Sequence, residues 1–385
     1  MNRICFALGT WQLILLSAAL QGSSEGVIPT LAPKDHLILY GPDSSDDLRI
    51  AMHSVAEQVW DWQSINWAGD LLDRTIPDSY NEFIERKSLL AKRVTKLNPD
   101  EVWLSKLSDI PEKMAAETFK DSAIVLYEDG LHTYVPVKII ESQRRGSYYR
   151  FGNFLTSLRK LASDYDVVWK SLNRGGIHIS HLRRLREIHT FLDKNLQMPN
   201  MFEDIRKSQI STTTLLAMIQ RCFDLVPVDN LHVMTRALSQ QSVLVLGQCF
   251  ARWKLMSRED EHLIYRNQVG FLLENGFDVL WKEHPRIDTP FFAELSEYFS
   301  GRITELPLAH YLPVELLVGQ IPLSNCVGGT STSLFYLAHL FGVNTYTFSN
   351  SLVSLIDGDF GYMKQLVSRN IPDILEIRSQ YVQGS

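Results

Sequence analysis

The sequence predicts an α/β protein made of two Rossmann-like domains that face a central cleft. Its 385 residues suit two domains, and 45% of them are hydrophobic, which is enough for two buried cores. Short apolar runs alternate with helix-like segments along the chain, which is typical of parallel α/β folding. A turn-rich stretch near residue 230 interrupts this alternation, so we expect domains over residues 1–235 and 236–385.

The N-terminal half opens with two apolar runs, ICFALGT and WQLILLSAAL. They predict a first strand, a turn at Gly9-Thr10 and a helix. A secretory signal peptide is the alternative, which the turn and Gln12 disfavour. Further strands are predicted at HLILYG (36–41) and AIVLYEDG (123–130), and helices at SVAEQVWDWQSI (54–65) and YNEFIERKSLLAKRVTKL (80–97).

The C-terminal half repeats the pattern. SVLVLGQ (242–248) predicts a strand, residues 259–276 a helix that ends at Gly276, and FDVLWKEHP (277–285) the next strand with its loop. CVGGTSTSLFYLAHLFG (326–342) predicts a strand end, a glycine turn and a helix. Ligands of such sheets bind at the carboxyl ends of the strands, so functional residues are expected in those loops.

Four cysteines (Cys5, Cys222, Cys249 and Cys326) stand among apolar or small residues without a CxxC pair. This spacing predicts buried thiols in a reducing compartment, with neither a disulfide framework nor a zinc site.

Charge is distributed unevenly. Residues 141–190 carry ten Lys and Arg against four Asp and Glu, so this segment has a charge of +6 in a chain of net charge −6. Such a basic block suits a polyanion or an anionic membrane, and a solvated face with ordinary ion pairs is the alternative.

An acidic motif, Glu128-Asp129-Gly130, closes one apolar strand. Either carboxylate could act as a general base or bind a metal ion, although an acidic turn is the simpler interpretation. Adjacent side chains of an extended chain point in opposite directions, so only one is expected to face the cleft.

A basic motif, Lys282-Glu283-His284-Pro285, closes another apolar strand. Lys282 and His284 are two residues apart and so emerge on the same side, where they could bind a phosphate while His284 donates a proton to a leaving group. Pro285 fixes His284 in the extended region. A solvated turn is the alternative.

A hydroxyl-rich motif, Gly328-Gly329-Thr330-Ser331-Thr332-Ser333, precedes an apolar helix. Hydroxyls and backbone N–H groups at a helix N-terminus favour an anion site, with a plain N-cap as the alternative. Glu315 follows Pro313, where it could accept hydrogen bonds from ribose hydroxyls or simply begin a helix.

Together these motifs resemble the bacterial sialyltransferases, especially the alpha-2,8-polysialyltransferase family. That family is marked by an acid-acid-Gly motif, a His-Pro motif and a Ser-Ser or Ser-Thr motif, here Glu128-Asp129-Gly130, His284-Pro285 and Ser331-Thr332. Lys282, Pro313-x-Glu315 and the opening Gly9-Thr10-Trp11-Gln12 fit the resemblance as well. It implies the GT-B fold, with an acceptor-binding N-terminal domain and a donor-binding C-terminal domain.

The resemblance implies an inverting, metal-independent transfer of sialic acid from CMP-sialic acid to a glycan acceptor. Asp129 or Glu128 would deprotonate the acceptor hydroxyl, and His284 would act on departing CMP. The donor-binding residues would be Gly9, Thr10, Lys282, His284, Pro285, Glu315, Ser331 and Thr332. No metal ion or other cofactor is expected, and the chain shows no DxD motif at the usual strand end.

The basic block predicts an anionic acceptor such as polysialic acid, bound by Arg144, Arg145, Arg150, Arg183 and Arg184. The resemblance also implies a cytoplasmic enzyme. Contact with the inner face of the cytoplasmic membrane or with capsule-assembly proteins is an open alternative, and no nucleic-acid partner is expected.

Three other functions fit part of the pattern. A GT-B transferase could use another donor such as CMP-Kdo, because no motif reads the donor sugar. Asp129, His284 and Ser331 also occur in the chain order of a serine hydrolase, although their flanking residues differ from that pattern. A non-catalytic polyanion-binding module would need only the basic block.

Overall fold

The computed structural model describes most of the chain. The described residues are 1–24, 33–41, 45–69, 71–72, 80–93, 98–140, 176–192, 196–227, 229, 231–232, 235, 238–287, 289–306, 308–309, 311–352 and 358–377. They separate into two compact units: Met1–Pro42, Trp60–Asp129 and Pro136–Ile210 form the first, and Asp43–Val59, Gly130–Val135 and Ser211–Ser385 form the second.

The first unit contains a parallel sheet with the strand order β3-β2-β1-β4-β5-β8-β9 among the described residues. Its central strands are apolar on both faces, as expected where helices cover both sides. The strands are β1 (Asn2–Ala7), β2 (Lys34–Leu39), β3 (Ser64–Trp67), β4 (Glu101–Leu104), β5 (Ala123–Tyr127), β8 (Leu185–Thr190) and β9 (Arg206–Gln209). Two short strands, β6 (Ile139–Ile140) and β7 (Ile177–His178), pair separately.

The second unit contains a parallel sheet with the strand order β12-β11-β10-β13-β14 in the described part of the chain. Its strands are β10 (Ser242–Leu246), β11 (Asp278–Lys282), β12 (Ile303–Glu305), β13 (Asn325–Gly328) and β14 (Asn344–Thr347). Each unit has its own hydrophobic core: one surrounds Phe6, Ile38 and Leu126, and the other surrounds Val245, Tyr265 and Trp281.

The described helices follow the strands as crossovers. They are α1 (Thr10–Ser24), α2 (Asp46–Val59), α3 (Tyr80–Arg93), α4 (Ile110–Thr118), α5 (Ile179–Leu182), α6 (Thr212–Arg221), α7 (Arg258–Glu274), α8 (Phe292–Tyr298), α9 (Val314–Val318), α10 (Ser333–Phe341) and α11 (Gly358–Asn370). None of them is long and apolar enough to cross a membrane.

Most of the predicted elements are confirmed. The opening run forms β1 at the centre of its sheet and is followed by α1, and the βαβ unit after residue 240 is β10, α7 and β11. Gly276 has the left-handed φ of 79° that ends α7. The four cysteines all lie in the described part of the chain, where they are buried and form no disulfide.

The helix predicted over residues 54–65 is wrong beyond Val59. The Trp60 indole donates to Asp35 at 2.9 Å, and Ser64–Trp67 pairs with β2 as β3. The apolar residues of positions 54–65 therefore belong to two different elements, the end of α2 and the start of β3.

The two units also divide the chain differently from the predicted boundary at residue 235. The division falls after Ile210, and the second unit includes α2 and Gly130–Val135 from the N-terminal half. The Arg221 guanidinium on α6 donates to the Val59 carbonyl at 3.0 Å, which satisfies the C-terminus of α2.

Candidate active site

Glu128 and Asp129 follow β5 and point in opposite directions, as the alternation of an extended chain predicts. Glu128 is fully buried, and its Oε2 accepts the backbone N–H groups of Phe191 at 2.7 Å and Leu192 at 2.9 Å. Its carboxylate therefore anchors the chain that follows β8.

This anchoring predicts that Glu128→Gln destabilises the first unit. A neutral amide oxygen accepts the two buried N–H groups less strongly than a carboxylate, so we expect the free energy of unfolding to fall by about 1–3 kcal/mol. Chemical denaturation measures this loss, with exposed Glu203→Gln as the matched control. Unchanged stability of Glu128→Gln would contradict the assignment.

Asp129 is held by residues that follow two other strands of the same sheet. Its Oδ1 accepts a hydrogen bond from the Gln12 amide on α1, and its Oδ2 lies 3.1 Å from Lys106 Nζ. Gln12 and Lys106 follow β1 and β4, and the sheet order places β1, β4 and β5 side by side. The Asp129 side chain keeps 12% of its surface exposed, so it is the more accessible of the two carboxylates.

Gly9 and Thr10 form the turn between β1 and α1. The Gly9 carbonyl accepts the Leu13 N–H at 3.2 Å, and Thr10 is buried as the first residue of α1. A Cβ built on Gly9 would meet no atom within 4 Å, so space beside this turn remains open.

Gly130 begins a short 3₁₀ helix, Gly130–Tyr134, in the second unit. Its φ is +56°, and a Cβ there would lie 2.7 Å from Thr332 Oγ1. The next residue, Leu131, donates its N–H to that hydroxyl at 3.2 Å. Glycine is therefore required both for the left-handed backbone and for the close approach to Thr332.

We expect Gly130→Ala to lower the free energy of unfolding by at least about 2 kcal/mol, because left-handed strain adds to the collision with Thr332. Thermal and chemical unfolding measure the loss. Gly22→Ala in α1 is the matched control, since its Cβ meets nothing within 4 Å and alanine favours a helix. Equal stability of the two variants would contradict this account.

In the second unit, the loop after β10 joins the basic and hydroxyl-rich motifs. β10 lies between β11 and β13, so its loop lies between the loops of those strands. Cys249 Sγ is 3.2 Å from His284 Nδ1, and the Gln248 Oε1 accepts from the Thr330 hydroxyl at 3.4 Å. The strand order thus brings the two predicted motifs to one edge of the sheet.

His284 is a neutral hydrogen-bond donor in this arrangement. Burial of the ring, with the positive charges of Arg286, Lys282 and Arg252 nearby, holds the pKa of His284 far below its usual range. Its Nδ1 accepts the Arg286 N–H at 3.1 Å, so the neutral ring carries its proton on Nε2. The positive charges that disfavour the imidazolium would favour an anion beside the ring, and the role of His284 as a proton donor stays a prediction.

Lys282, the last residue of β11, is buried beside Glu315 on α9. Burial lowers the pKa of Lys282 to about 8, against the opposing charges of Glu315 and Glu283, so the ammonium stays largely charged at neutral pH. Burial raises the pKa of Glu315, opposed by a hydrogen bond from Ser333 and by Lys282. Among the described residues, the buried Glu315 Oε1 accepts no hydrogen bond, which leaves an acceptor for a ligand hydroxyl.

Ser331 and Thr332 precede α10. Ser331 Oγ accepts the Ser333 N–H at 3.3 Å, so it caps this helix locally, while Thr332 Oγ1 accepts from Leu131. Both side chains are half-buried. Thr332 therefore anchors the 3₁₀ helix in addition to any contact with a ligand.

Aromatic rings continue from His284 along the second unit. The Trp253 ring meets His284 edge-on with 5.5 Å between centroids, and Phe360 lies 5.1 Å from Trp253. His132 of the 3₁₀ helix meets Phe360 at 6.1 Å. Trp253 and Phe360 thus give the largely buried His284 an apolar border.

The family model for alpha-2,8-polysialyltransferases matches residues 4–350 of the chain. The chain belongs to the alpha-2,8-polysialyltransferase family. It is a glycosyltransferase of the sialyltransferase type, as the motifs predicted, and this answers both the serine-hydrolase and the non-catalytic alternatives. No curated protein sequence matches the chain significantly.

Solved structures show the fold of this family member. It is similar to UDP-GlcNAc 2-epimerase from Neisseria meningitidis bound to UDP-GlcNAc (10% identity, 99% of this chain and 93% of that chain, TM-score 0.51). The S. aureus MnaA-UDP co-structure is also similar, with 9% identity, coverage of 99% of this chain and 97% of that chain, and a TM-score of 0.50. The GT-B domain of a sialyltransferase from Photobacterium damselae has 11% identity, coverage of 97% of this chain and 100% of that chain, and a TM-score of 0.48. The predicted fold class, α/β with two domains built on parallel sheets, is confirmed.

The predicted acceptor arginines fall into two groups in this family member. Arg144, Arg145 and Arg150 lie outside the described residues. Arg183 and Arg184 precede β8 and so lie at the amino edge of the first sheet, opposite the edge that carries Asp129. Arg183 is exposed, whereas the Arg184 guanidinium donates to the carbonyls of Ala116, Phe119 and Ser122. This placement gives their acceptor role no support.

Sequence reasoning missed several residues that surround the predicted ones. Lys106 stands two residues after β4, a position that the strand-end rule could have identified. Gln12 belonged to the opening motif but was given no role. Cys249 was predicted only as a buried thiol, which it is, and its contact with His284 depends on the strand order.

Proposed function

We propose that this family member transfers sialic acid from CMP-sialic acid to a hydroxyl of a sialylated glycan, with inversion at the anomeric carbon. The observation that carries the proposal is the cationic cluster around His284, at the carboxyl edge of the second sheet, in a chain of the polysialyltransferase family. Lys282, Arg286 and Arg252 create the positive potential that a nucleotide phosphate requires.

In this proposal the second unit binds the donor. The phosphate accepts hydrogen bonds from His284 Nε2–H and from the N-terminus of α10 at Ser331 and Thr332. The unpartnered Glu315 Oε1 accepts from a ribose hydroxyl, and Lys282 lies beside it. These donors stabilise the negative charge that develops on departing CMP, so no metal ion is needed for that step.

Asp129 is the proposed base. It removes the proton of the acceptor hydroxyl while that oxygen attacks the anomeric carbon, and the bond to the CMP oxygen breaks with its electron pair leaving on the phosphate. Glu128 is the weaker candidate because its carboxylate is fully buried and accepts two backbone N–H groups. Gly9 and Thr10 border the open space next to the Asp129 network.

Two features of the proposal rest on the sequence alone. The anionic acceptor is inferred from the basic block, for which Arg144, Arg145 and Arg150 are the remaining candidates. The cytoplasmic location, with contact to the inner membrane face or to capsule-assembly proteins, is inferred from the family resemblance.

Donor competition tests the proposal. The purified chain is incubated in EDTA with CMP-sialic acid or CMP-Kdo and with an oligosialic acid or a lactose acceptor, and CMP release is followed. The proposal expects acceptor-dependent release from CMP-sialic acid only, faster with oligosialic acid. CMP release from CMP-Kdo alone would identify CMP-Kdo as the donor instead of CMP-sialic acid. CMP release that depends on added Mg²⁺ would overturn the proposal that departure of CMP needs no metal ion.

A further inference from the structure

Asp129 is fixed on both of its oxygens before any substrate binds. The Gln12 amide oxygen accepts the Leu8 N–H at 2.8 Å, which turns the amide nitrogen towards Asp129 Oδ1. Lys106 Nζ lies 3.1 Å from Oδ2. A carboxylate held in this way cannot rotate away from its position without losing a contact on each side.

Lys106 is shared between two carboxylates. Its Nζ lies 3.0 Å from Asp109 Oδ2 as well as 3.1 Å from Asp129 Oδ2, and only 13% of its side-chain surface is exposed. An ammonium has three donors, so it can serve both oxygens at once. If Asp129 became neutral, the negative charge of Asp109 would still balance the buried Lys106 ammonium. The protein would therefore not be left with an unpaired buried charge, which would be costly.

Titratable side chains around Asp129 include three whose pKa values are raised by burial. Burial raises the pKa of Glu112 on α4 to about 7, and the Tyr40 hydroxyl after β2 donates to it. Burial raises the pKa of Tyr40 and of Tyr127 on β5 well above the usual range. Lys106, 3.1 Å from Asp129, and Asp109, 3.0 Å from Lys106, are thus charged groups close to Asp129, and Glu112 is a partly charged one.

We propose that Lys106 is a positioning residue for Asp129: it holds the carboxylate charged and oriented for the acceptor hydroxyl, and it is retained by Asp109 after Asp129 has taken up the proton. This inference rests on the proposed role of Asp129 as the base. The proton passes from the acceptor oxygen to Asp129, and Lys106 neither gains nor loses one.

Two substitutions should move the pH dependence of kcat/KM in opposite directions. Lys106→Met removes the cation that favours the charged carboxylate, so the acidic limb of the pH profile should move up by about one pH unit, and activity at pH values below this limb should fall by up to about tenfold. Asp109→Asn removes a negative charge that repels the Asp129 carboxylate, and Lys106 then pairs with Asp129 alone. The acidic limb of the kcat/KM profile should therefore move to lower pH. Lys120→Met, in the same unit and exposed, is the control. The proposal would be overturned if the acidic limb stayed at the same pH in Lys106→Met and Asp109→Asn, or if it moved in the same direction in both variants.

A second measurement does not depend on the donor. ¹³C-carboxyl aspartate is incorporated, and the Asp129 resonance is identified by its absence in Asp129→Asn and titrated in each variant. Opposite displacements of its midpoint in Lys106→Met and Asp109→Asn support the positioning role even if CMP-sialic acid proves not to be the donor. An unmoved midpoint overturns it even in an active sialyltransferase. Asp109 is 38% exposed, so its variant is expected to fold if Lys106→Met does not.

Discussion

Asp129→Asn is expected to lower kcat at least about 10³-fold, since a positioned general base contributes about 10² to 10⁴ to the rate. The asparagine has nearly the same shape, and its amide oxygen can still accept from Gln12, so the fold should persist. It cannot take the acceptor proton at neutral pH. Because Asp129 is assigned to the acceptor and not to the donor, the KM for CMP-sialic acid should change little.

The measurement is acceptor-dependent CMP release over a range of donor concentrations. Asp121→Asn is the matched control, since Asp121 is exposed just before β5, at the opposite end of that strand. Thermal unfolding of each variant separates a loss of fold from a loss of chemistry. If Asp129→Asn keeps its rate while folded Glu128→Gln loses it, then Glu128 is the base and the present assignment is wrong.

His284→Ala is the second large effect. Removing one donor that stabilises developing negative charge costs about 10² to 10³ in rate, and we expect a loss of that size in kcat/KM. The neutral Nε2–H also contacts the ground-state phosphate in this account, so CMP itself should bind about tenfold more weakly. Isothermal titration with CMP and initial rates with CMP-sialic acid measure the two effects.

His339→Ala controls for the loss of a histidine, because His339 is exposed on α10 in the same unit. His284→Asn offers an amide N–H near the same position and should recover part of the activity. Unchanged CMP affinity together with an unchanged rate in His284→Ala would remove His284 from the donor site.

The sequence was sufficient for the elements that repeat a simple pattern. The strands β1, β10 and β11 are continuous apolar runs that end in glycine or polar residues, and such runs are read correctly because burial on both faces leaves little choice of residue. The same rule placed the acidic, basic and hydroxyl-rich motifs at the carboxyl ends of strands. The prediction of a helix from apolar periodicity failed at residues 60–65. There a helix ends and a strand begins without a glycine or proline to mark the change.

The choice between Glu128 and Asp129 required the structure. Alternation showed that they point apart, but not which one is buried, because the backbone amides that hold Glu128 come from Phe191 and Leu192, more than sixty positions later. Lys106 escaped notice for a related reason: its partner Asp129 follows a different strand, and only the sheet order makes β4 and β5 neighbours.

The basic block shows the limit of charge as a guide to partners. Arg184 belongs to it by sequence, yet its donors satisfy the carbonyls at the end of α4 and before β5. A cluster of positive residues predicts a binding surface only when the side chains lie on that surface. The two units likewise do not divide at the turn residues near 230, since the chain passes into the second unit after Ile210.

The central claim is most directly tested by the product. The chain is incubated in EDTA with ¹³C-labelled CMP-sialic acid and an oligosialic acid primer, and the anomeric carbon is followed by NMR. The account predicts an α-linked sialic acid on the primer, formed from the β-linked donor, with one CMP released for each residue added. Free sialic acid without elongation of the primer, or a donor that is not consumed, would contradict it.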